Sequence, residues 1–376
     1  MTIYLILISI ITSPILFNKR KKIGLAISFI FLFILFGLQY EMSHDWIVYV
    51  NRWKGVNISS SFQSSVPLEY FYTFLMQLSK PIGFLGYLIF CAIFNLWVIY
   101  LFVKKYVPTN YYWIFFAIFM LRVNLGFTYI NSNRQFLSIT MCMLAYYIYS
   151  QSKKKNMHYN KYKTILYRYV IPLSLITAAI NTHSSAIIII PLFIYIFLGK
   201  YISIPNNKSL CLISLTIYSL HFFVDLSPLS SYVEKILSSS EEFSSFSHYA
   251  LEINQKKESI VEEFIYILIL ITLTKNYNKF NEEEKPLVFA SIVYIILHGF
   301  VMYTMLRALF YYQVYLPFTI TFMLKHIPNR IYRNSFISLI IAYSIFSFNK
   351  NFNAVNNNHI KEYKNFKTII SSPYWF

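Results

Sequence analysis

Residues 84–103 read FLGYLIFCAIFNLWVIYLFV, twenty residues without a charged side chain, closed by Lys104 and Lys105. At 1.5 Å per residue a helix of this length spans about 30 Å, the thickness of a bilayer's hydrocarbon core. Similar apolar blocks lie at about 1–17, 23–40, 111–130, 134–150, 165–180, 184–199, 209–224, 261–274, 286–304, 307–324 and 335–348. With the quoted block they predict an all-α, polytopic integral membrane protein of about twelve transmembrane helices. Composition agrees. The 376 residues are 57% hydrophobic and 20% aromatic, with only 13% charged, against about 25% charged in a soluble chain. The expected layout is a single transmembrane helical domain over 1–348, followed by a polar, Asn-rich tail at 349–376.

Two segments depart from the simple pattern. Block 1–17 has no basic n-region and no A-x-A site, and Lys19-Arg20-Lys21-Lys22 follow it. It reads as an uncleaved span. In 67–80, Glu69, Thr73, Gln77 and Lys80 recur every three or four residues on an otherwise apolar background. That periodicity describes an amphipathic segment, interfacial or re-entrant.

The net charge of +18 is not a nucleic-acid footprint, because the basic residues sit in short loops between apolar blocks. Placing 18–22, 104–105, 153–168, 200–208, 275–285 and 325–333 inside collects 20 of the 33 Lys and Arg there, with only Glu282, Glu283 and Glu284 of the acids. Loops 41–66 and 225–259 and the tail 349–376 then face outward. The alternation holds if 67–80 does not cross. Cys91, Cys142 and Cys211 all lie inside apolar blocks and suggest packing rather than disulfides.

Unusual polar residues gather at the outer ends of the spans. Ionisable groups at depth in a bilayer face a wet or paired interior and mark function. Arg122 lies about twelve residues into its block, either as a ligand-binding group or as one half of a structural ion pair. Arg134, in Asn131-Ser132-Asn133-Arg134-Gln135, opens a helix. A cation there opposes the helix dipole, whereas Arg plus a helix N-terminus makes an anion site. His183 lies in the turn Asn181-Thr182-His183-Ser184-Ser185, where a structural role competes with a chemical one. Arg307 stands one helical turn from both Tyr303 and Tyr311, a grouping suited to sugar or phosphate, although interfacial tyrosine belts are common. The loop with Glu41, His44, Asp45, Trp46, Tyr49 and Arg52 combines carboxylate, imidazole, guanidinium and aromatic groups. No metal motif of fixed spacing and no P-loop, GxGxxG, GxSxG or HExxH occurs. No metal and no cofactor is expected.

Several short motifs, in order, resemble the EpsG-like, Wzy-type polymerases of bacterial O-antigen, capsule and exopolysaccharide. The first is Tyr40-Glu41-Met42-Ser43-His44-Asp45-Trp46-Ile47-Val48-Tyr49, which keeps the Asp and aromatics but has Ser43 and His44 where the family has Gly and a small hydroxyl residue. Glu69 opens the amphipathic segment, after Pro67-Leu68 where the family often has Glu-Pro. Arg134-Gln135 opens a central span. His183-Ser184-Ser185-Ala186 precedes an apolar run to Pro191, and Arg307-Ala308-Leu309-Phe310-Tyr311 comes late.

The resemblance implies a glycosyltransferase in the bacterial cytoplasmic membrane, its active site facing the periplasm or exterior. Its substrate would be undecaprenyl-diphosphate-linked oligosaccharide in the lipid bilayer, with a chain-length regulator as an optional partner and no nucleic acid. The expected catalytic residues are Glu69, Asp45 and His183. Arg52, Arg122, Arg134, Arg307, His44, Tyr303 and Tyr311 are expected to bind diphosphate and sugar. Among the candidate bases Glu69 is favoured, since a partly desolvated carboxylate on a cleft-lining stripe suits proton transfer. Arg52 is expected to hold Asp45 ionised, and His183 to hydrogen-bond substrate. Rival functions are a lipid-linked oligosaccharide flippase, which needs a polar path to both faces, and another transferase such as an O-antigen ligase.

Overall fold

The computed structural model describes residues 3–39, 46–55, 69–121, 133–154, 161–198, 206–223, 260–300 and 309–354. Among them every regular element is a helix. Among the described residues three helices are long and apolar enough to cross a membrane: Lys80–Tyr106, Tyr162–Ile180 and Arg330–Asn349. Tyr4–Leu16, Thr109–Leu121, Ser184–Leu198 and Lys285–Gly299 are apolar but shorter. The chain divides into two compact units, Met1–Ala186 with Asn329–Phe376, and Ile187–Pro328.

The first unit begins with α1 (Ile3–Leu16) and α2 (Lys21–Gly37), which pack on each other across the basic turn Asn18–Arg20. The buried Ser28 Oγ–H donates to the Ile10 carbonyl at 2.8 Å and ties the pair. Next come α3 (Trp46–Gly55), α4 (Tyr70–Leu78), α5 (Gly83–Tyr106), α6 (Tyr112–Leu121) and α7 (Asn133–Lys154). Then α8 runs over 161–180 with a π-helical turn at Leu166–Val170. The last helix of the chain, α14 (Arg330–Ala354), returns to pack on α6.

Helix α4 has 9 residues, about 14 Å at 1.5 Å per residue, less than half the ~30 Å needed to cross. The polar stripe read at 67–80 therefore belongs to a short helix that does not span. It turns into α5 through Lys80–Ile82 and Gly83, whose φ of 75° is a left-handed conformation that glycine adopts without steric cost.

Helix α7 is gripped on both sides. The Ser138 hydroxyl donates to the Ala179 carbonyl of α8 at 2.7 Å. Thr140 donates to Asn95 Oδ1 of α5 at 2.6 Å, and both side chains are fully buried. Such interhelical bonds contribute on the order of 1 kcal/mol each. They also set the rotation of α7 and hence the direction of its first turn.

The second unit holds α9 (Ile190–Leu198), α10 (Asn207–Leu220), α11 (Ile260–Lys275), α12 (Lys285–Phe300) and α13 (Leu316–Met323). Its buried hydroxyls find partners across helices. Tyr195 meets Tyr277 at 2.8 Å and Tyr266 meets Tyr294 at 3.1 Å, while Gln313 Nε2–H donates to Tyr294 at 2.8 Å.

Candidate functional site

The site starts with how α3 is held. Trp46, Tyr49 and Trp53 recur at helical spacing and put aromatic rings on one face of the helix. Trp46 packs edge-on against Phe84 of α5, with ring centroids 5.4 Å apart. Trp53 Nε1–H donates to Ser79 Oγ at 3.0 Å. The Lys80 ammonium donates to the Trp53 carbonyl and sits 4.3 Å from the Trp53 ring centroid. These contacts lay α3 along the turn between α4 and α5, and Arg52 then reaches back to the residue before α4.

That residue is Glu69, which is buried. Its Oε2 accepts from Arg52 Nη1 at 3.0 Å and also from Arg134 Nη1, in the first turn of α7. Two guanidiniums and one carboxylate leave one net positive charge in the cluster. Arg134 is also flanked by aromatic faces, with Cζ 5.7 Å from the Tyr49 centroid and 5.5 Å from that of Tyr72. Its Nε is buried and meets no acceptor among the described residues. The surplus positive charge and the buried Nε–H donor suit an anionic group, and the buried rings of Tyr49 and Tyr72 hold the Arg134 guanidinium in place.

The turn of His183 abuts this cluster through the backbone. The Asn181 carbonyl accepts from Phe71 N–H at 3.1 Å, supplying an acceptor to the exposed first turn of α4. His183 Nδ1 lies 2.6 Å from Ser185 Oγ, and the His183 backbone N–H donates to the Ala179 carbonyl at 3.0 Å. The carboxylate, the arginines and this turn thus come together in one unit of the protein.

Of the residues singled out from sequence, Arg52, Glu69 and Arg134 are in direct contact, with His183 in the adjoining turn. Glu69 is not a lone carboxylate on a polar stripe, because it carries both guanidiniums. Arg52 is paired with Glu69, and its expected place beside Asp45 falls on a residue outside the described ones. Tyr311 is buried in the second unit. His44, Asp45, Arg122, Tyr303 and Arg307 lie outside the described residues.

Sequence reasoning missed Tyr72 as a wall of the Arg134 site, although its spacing of three from Glu69 on a helix would have indicated it. It also missed a second polar cluster, in the Ile187–Pro328 unit. There the Tyr218 hydroxyl donates to Glu263, and His221 Nε2 lies 3.4 Å from the same carboxylate. The ring of His221 packs against Gly299, where an added Cβ would come within 2.7 Å of Nδ1. Glu263 belongs to α11 and His221 to the C-terminal end of α10, so no local spacing signals the pair.

The EpsG family matches residues 22–365. No curated relative and no solved structure matches the chain. The matched stretch includes every residue of the Arg52–Glu69–Arg134 cluster and the turn of His183, and the chain belongs to the EpsG family.

Proposed function

We propose that this EpsG-family protein is a membrane glycosyltransferase, a polysaccharide polymerase that joins undecaprenyl-diphosphate-linked oligosaccharide repeat units on the outer face of the bacterial cytoplasmic membrane. The observation that carries this reading is the Arg52–Glu69–Arg134 cluster, a buried carboxylate under two guanidiniums with one positive charge in surplus. The twelve-span layout with outward loops 41–66 and 225–259 belongs to the same reading, which puts the cluster on the outer side.

In the transfer, an acceptor hydroxyl oxygen bonds to the anomeric carbon of the donor sugar. The bond from that carbon to the diphosphate oxygen breaks, and undecaprenyl diphosphate leaves with the electron pair. The charge developing on the diphosphate needs preorganised donors, which Arg52 and Arg134 supply as forked guanidiniums. Arg122 is a further donor in this scheme, and His44 contacts sugar.

The hydroxyl proton needs an acceptor. A diphosphate drawing Arg52 and Arg134 to itself frees Glu69 Oε2 to take that proton, so the base is released when the donor arrives. Asp45 and His183 orient the acceptor sugar.

Deletion of the gene tests the assignment. The expected result is lipid carrier capped with a single repeat unit and no ladder of longer chains. An intact ladder in the deletion strain overturns it.

A further inference from the structure

Contacts inside the first unit bring its basic turns to one end. Helices α2 and α5 run antiparallel: Gly37 packs on Ala92, Phe29 meets Tyr100 edge-on with centroids 5.5 Å apart, and Lys21 Nζ donates to Thr109, beyond the end of α5, at 3.4 Å. Helices α5 and α7 run parallel. Thr140 is bonded to Asn95, and further along both helices Lys105 Nζ donates to Ser150 Oγ at 2.6 Å. At the far end of α1, Tyr4 packs edge-on against Phe348 of α14, with centroids 6.3 Å apart, and both helices pack on α6. Helix α14 therefore begins where α1 ends. Arg330 and Arg333, in its first turn, lie at the end that holds Lys19, Arg20 and Lys22 of the α1–α2 turn. Lys104 closes α5 and Lys153 closes α7 at this same end. The Arg52–Glu69–Arg134 cluster stands at the other. Along α7, Arg134 and Lys153 are separated by about 29 Å at 1.5 Å per residue, close to the ~30 Å of a hydrocarbon core.

We infer that this basic end is a docking surface for anionic phospholipid. Charge complementarity selects the occupant. Among the described residues of the first unit the one acid is Glu69, at the opposite end, so no carboxylate of the unit answers these cations. Lys19, Arg20, Lys22 and Arg330 are exposed and Arg333 is half-buried. Apolar side chains are exposed among them: Leu16 by 77%, Ile331 by 74% and Tyr332 by 71%. A soluble acidic partner needs the charges alone. Cations interleaved with apolar groups instead fit a phosphate and the first acyl carbons of one molecule. Helices α5 and α14 are long and apolar enough to cross a membrane, which sets their basic ends at a bilayer surface. There each Lys or Arg strengthens attraction to anionic lipid roughly fivefold. The inference goes beyond the transferase reading, because the surface lies away from the arginine–carboxylate cluster and takes lipid whatever reaction that cluster performs.

The test is lipid retention by the full chain. Protein in nanodiscs of equal phosphatidylglycerol and phosphatidylcholine is released into neutral detergent, and the lipid that stays bound is identified by native mass spectrometry. Wild type should retain phosphatidylglycerol in about tenfold excess. The excess should fall as salt rises from about 0.1 to about 1 M, which shortens the Debye length from about 10 to about 3 Å. Lys19→Gln/Arg20→Gln/Lys22→Gln and Arg330→Gln/Arg333→Gln should each cut the excess to about twofold or less, with helix content by circular dichroism equal to wild type. Arg330→Lys/Arg333→Lys keeps the charge and should keep the excess. So should Lys54→Gln, an exposed cation at the other end. Equal retention of the two lipids by wild type, or an excess that both glutamine variants keep, overturns the inference. An excess lost equally in Lys54→Gln overturns the location. Polyglutamate that displaces phosphatidylglycerol from wild type at matched charge overturns the choice of occupant and assigns the surface to an acidic protein.

Discussion

Glu69 is the residue whose replacement tests the site most directly, because both guanidiniums reach the same oxygen. Arg52 Nη1 and Arg134 Nη1 both contact Oε2; the carboxylate side chain is 7% exposed and the arginines 24% and 19%. A hydrogen bond to a charged group contributes about 1.5–3 kcal/mol and a neutral one about 0.5–1.5. Glu69→Gln keeps a carbonyl oxygen for both donors, so each contact weakens by about 1 kcal/mol and the pair by about 2. Glu69→Ala removes the acceptor and leaves two cations facing each other, a loss of about 3–5 kcal/mol. Combined with Arg134→Ala, it should give a coupling energy of about 1–3 kcal/mol. Thermal unfolding of purified protein in nanodiscs measures the stabilities, and polymer ladders measure elongation. Glu69→Gln should fold, still bind lipid-linked substrate and elongate nothing. An additive cycle with Glu69→Ala as stable as wild type would refute the ion-pair geometry. Normal elongation by Glu69→Gln, with Asp45→Asn inactive, would move the base to Asp45.

Gly299→Ala should lower stability by about 1–3 kcal/mol, since its Cβ would sit 2.7 Å from His221 Nδ1 and push the ring away from Glu263. In His221→Ala the same change should cost much less, and equal losses in both backgrounds would contradict the packing. Thr140→Val should lose about 1–3 kcal/mol by stranding buried Asn95, while Thr140→Val with Asn95→Leu should recover most of it. Thermal unfolding that ranks the double variant below the single one would show that the bond does not join α5 and α7 as described. In a background without Cys91, Cys142 and Cys211, a cysteine at 245 should react with an impermeant maleimide in intact cells and one at 155 should not. The opposite pattern would invert the proposed orientation.

The helical, membrane-embedded character was legible in the sequence, because apolar blocks of bilayer length are a local property of the chain and need no partner to be recognised. The 67–80 segment was legible for the same reason: its polar residues repeat at helical spacing, and α4 is the short helix that spacing describes. Glu69, Arg52 and Arg134 stood out individually as ionisable groups that an apolar chain must justify. Their pairing was not legible. Glu69 joins Arg52 across 17 residues and Arg134 across 65. The Trp53–Ser79 bond and the Lys80–Trp53 contacts lay α3 along the α4–α5 turn and carry Arg52 to Glu69, a meeting that no local spacing signals. The His221–Glu263 contact has the same origin in side chains from separate helices. Hydrophobic patterning acts over one turn of helix and is written in neighbouring residues. Ion pairs and cavities depend on which helix faces meet, and that is decided by long-range contacts such as Ser138–Ala179, Thr140–Asn95 and the Asn181 carbonyl on Phe71.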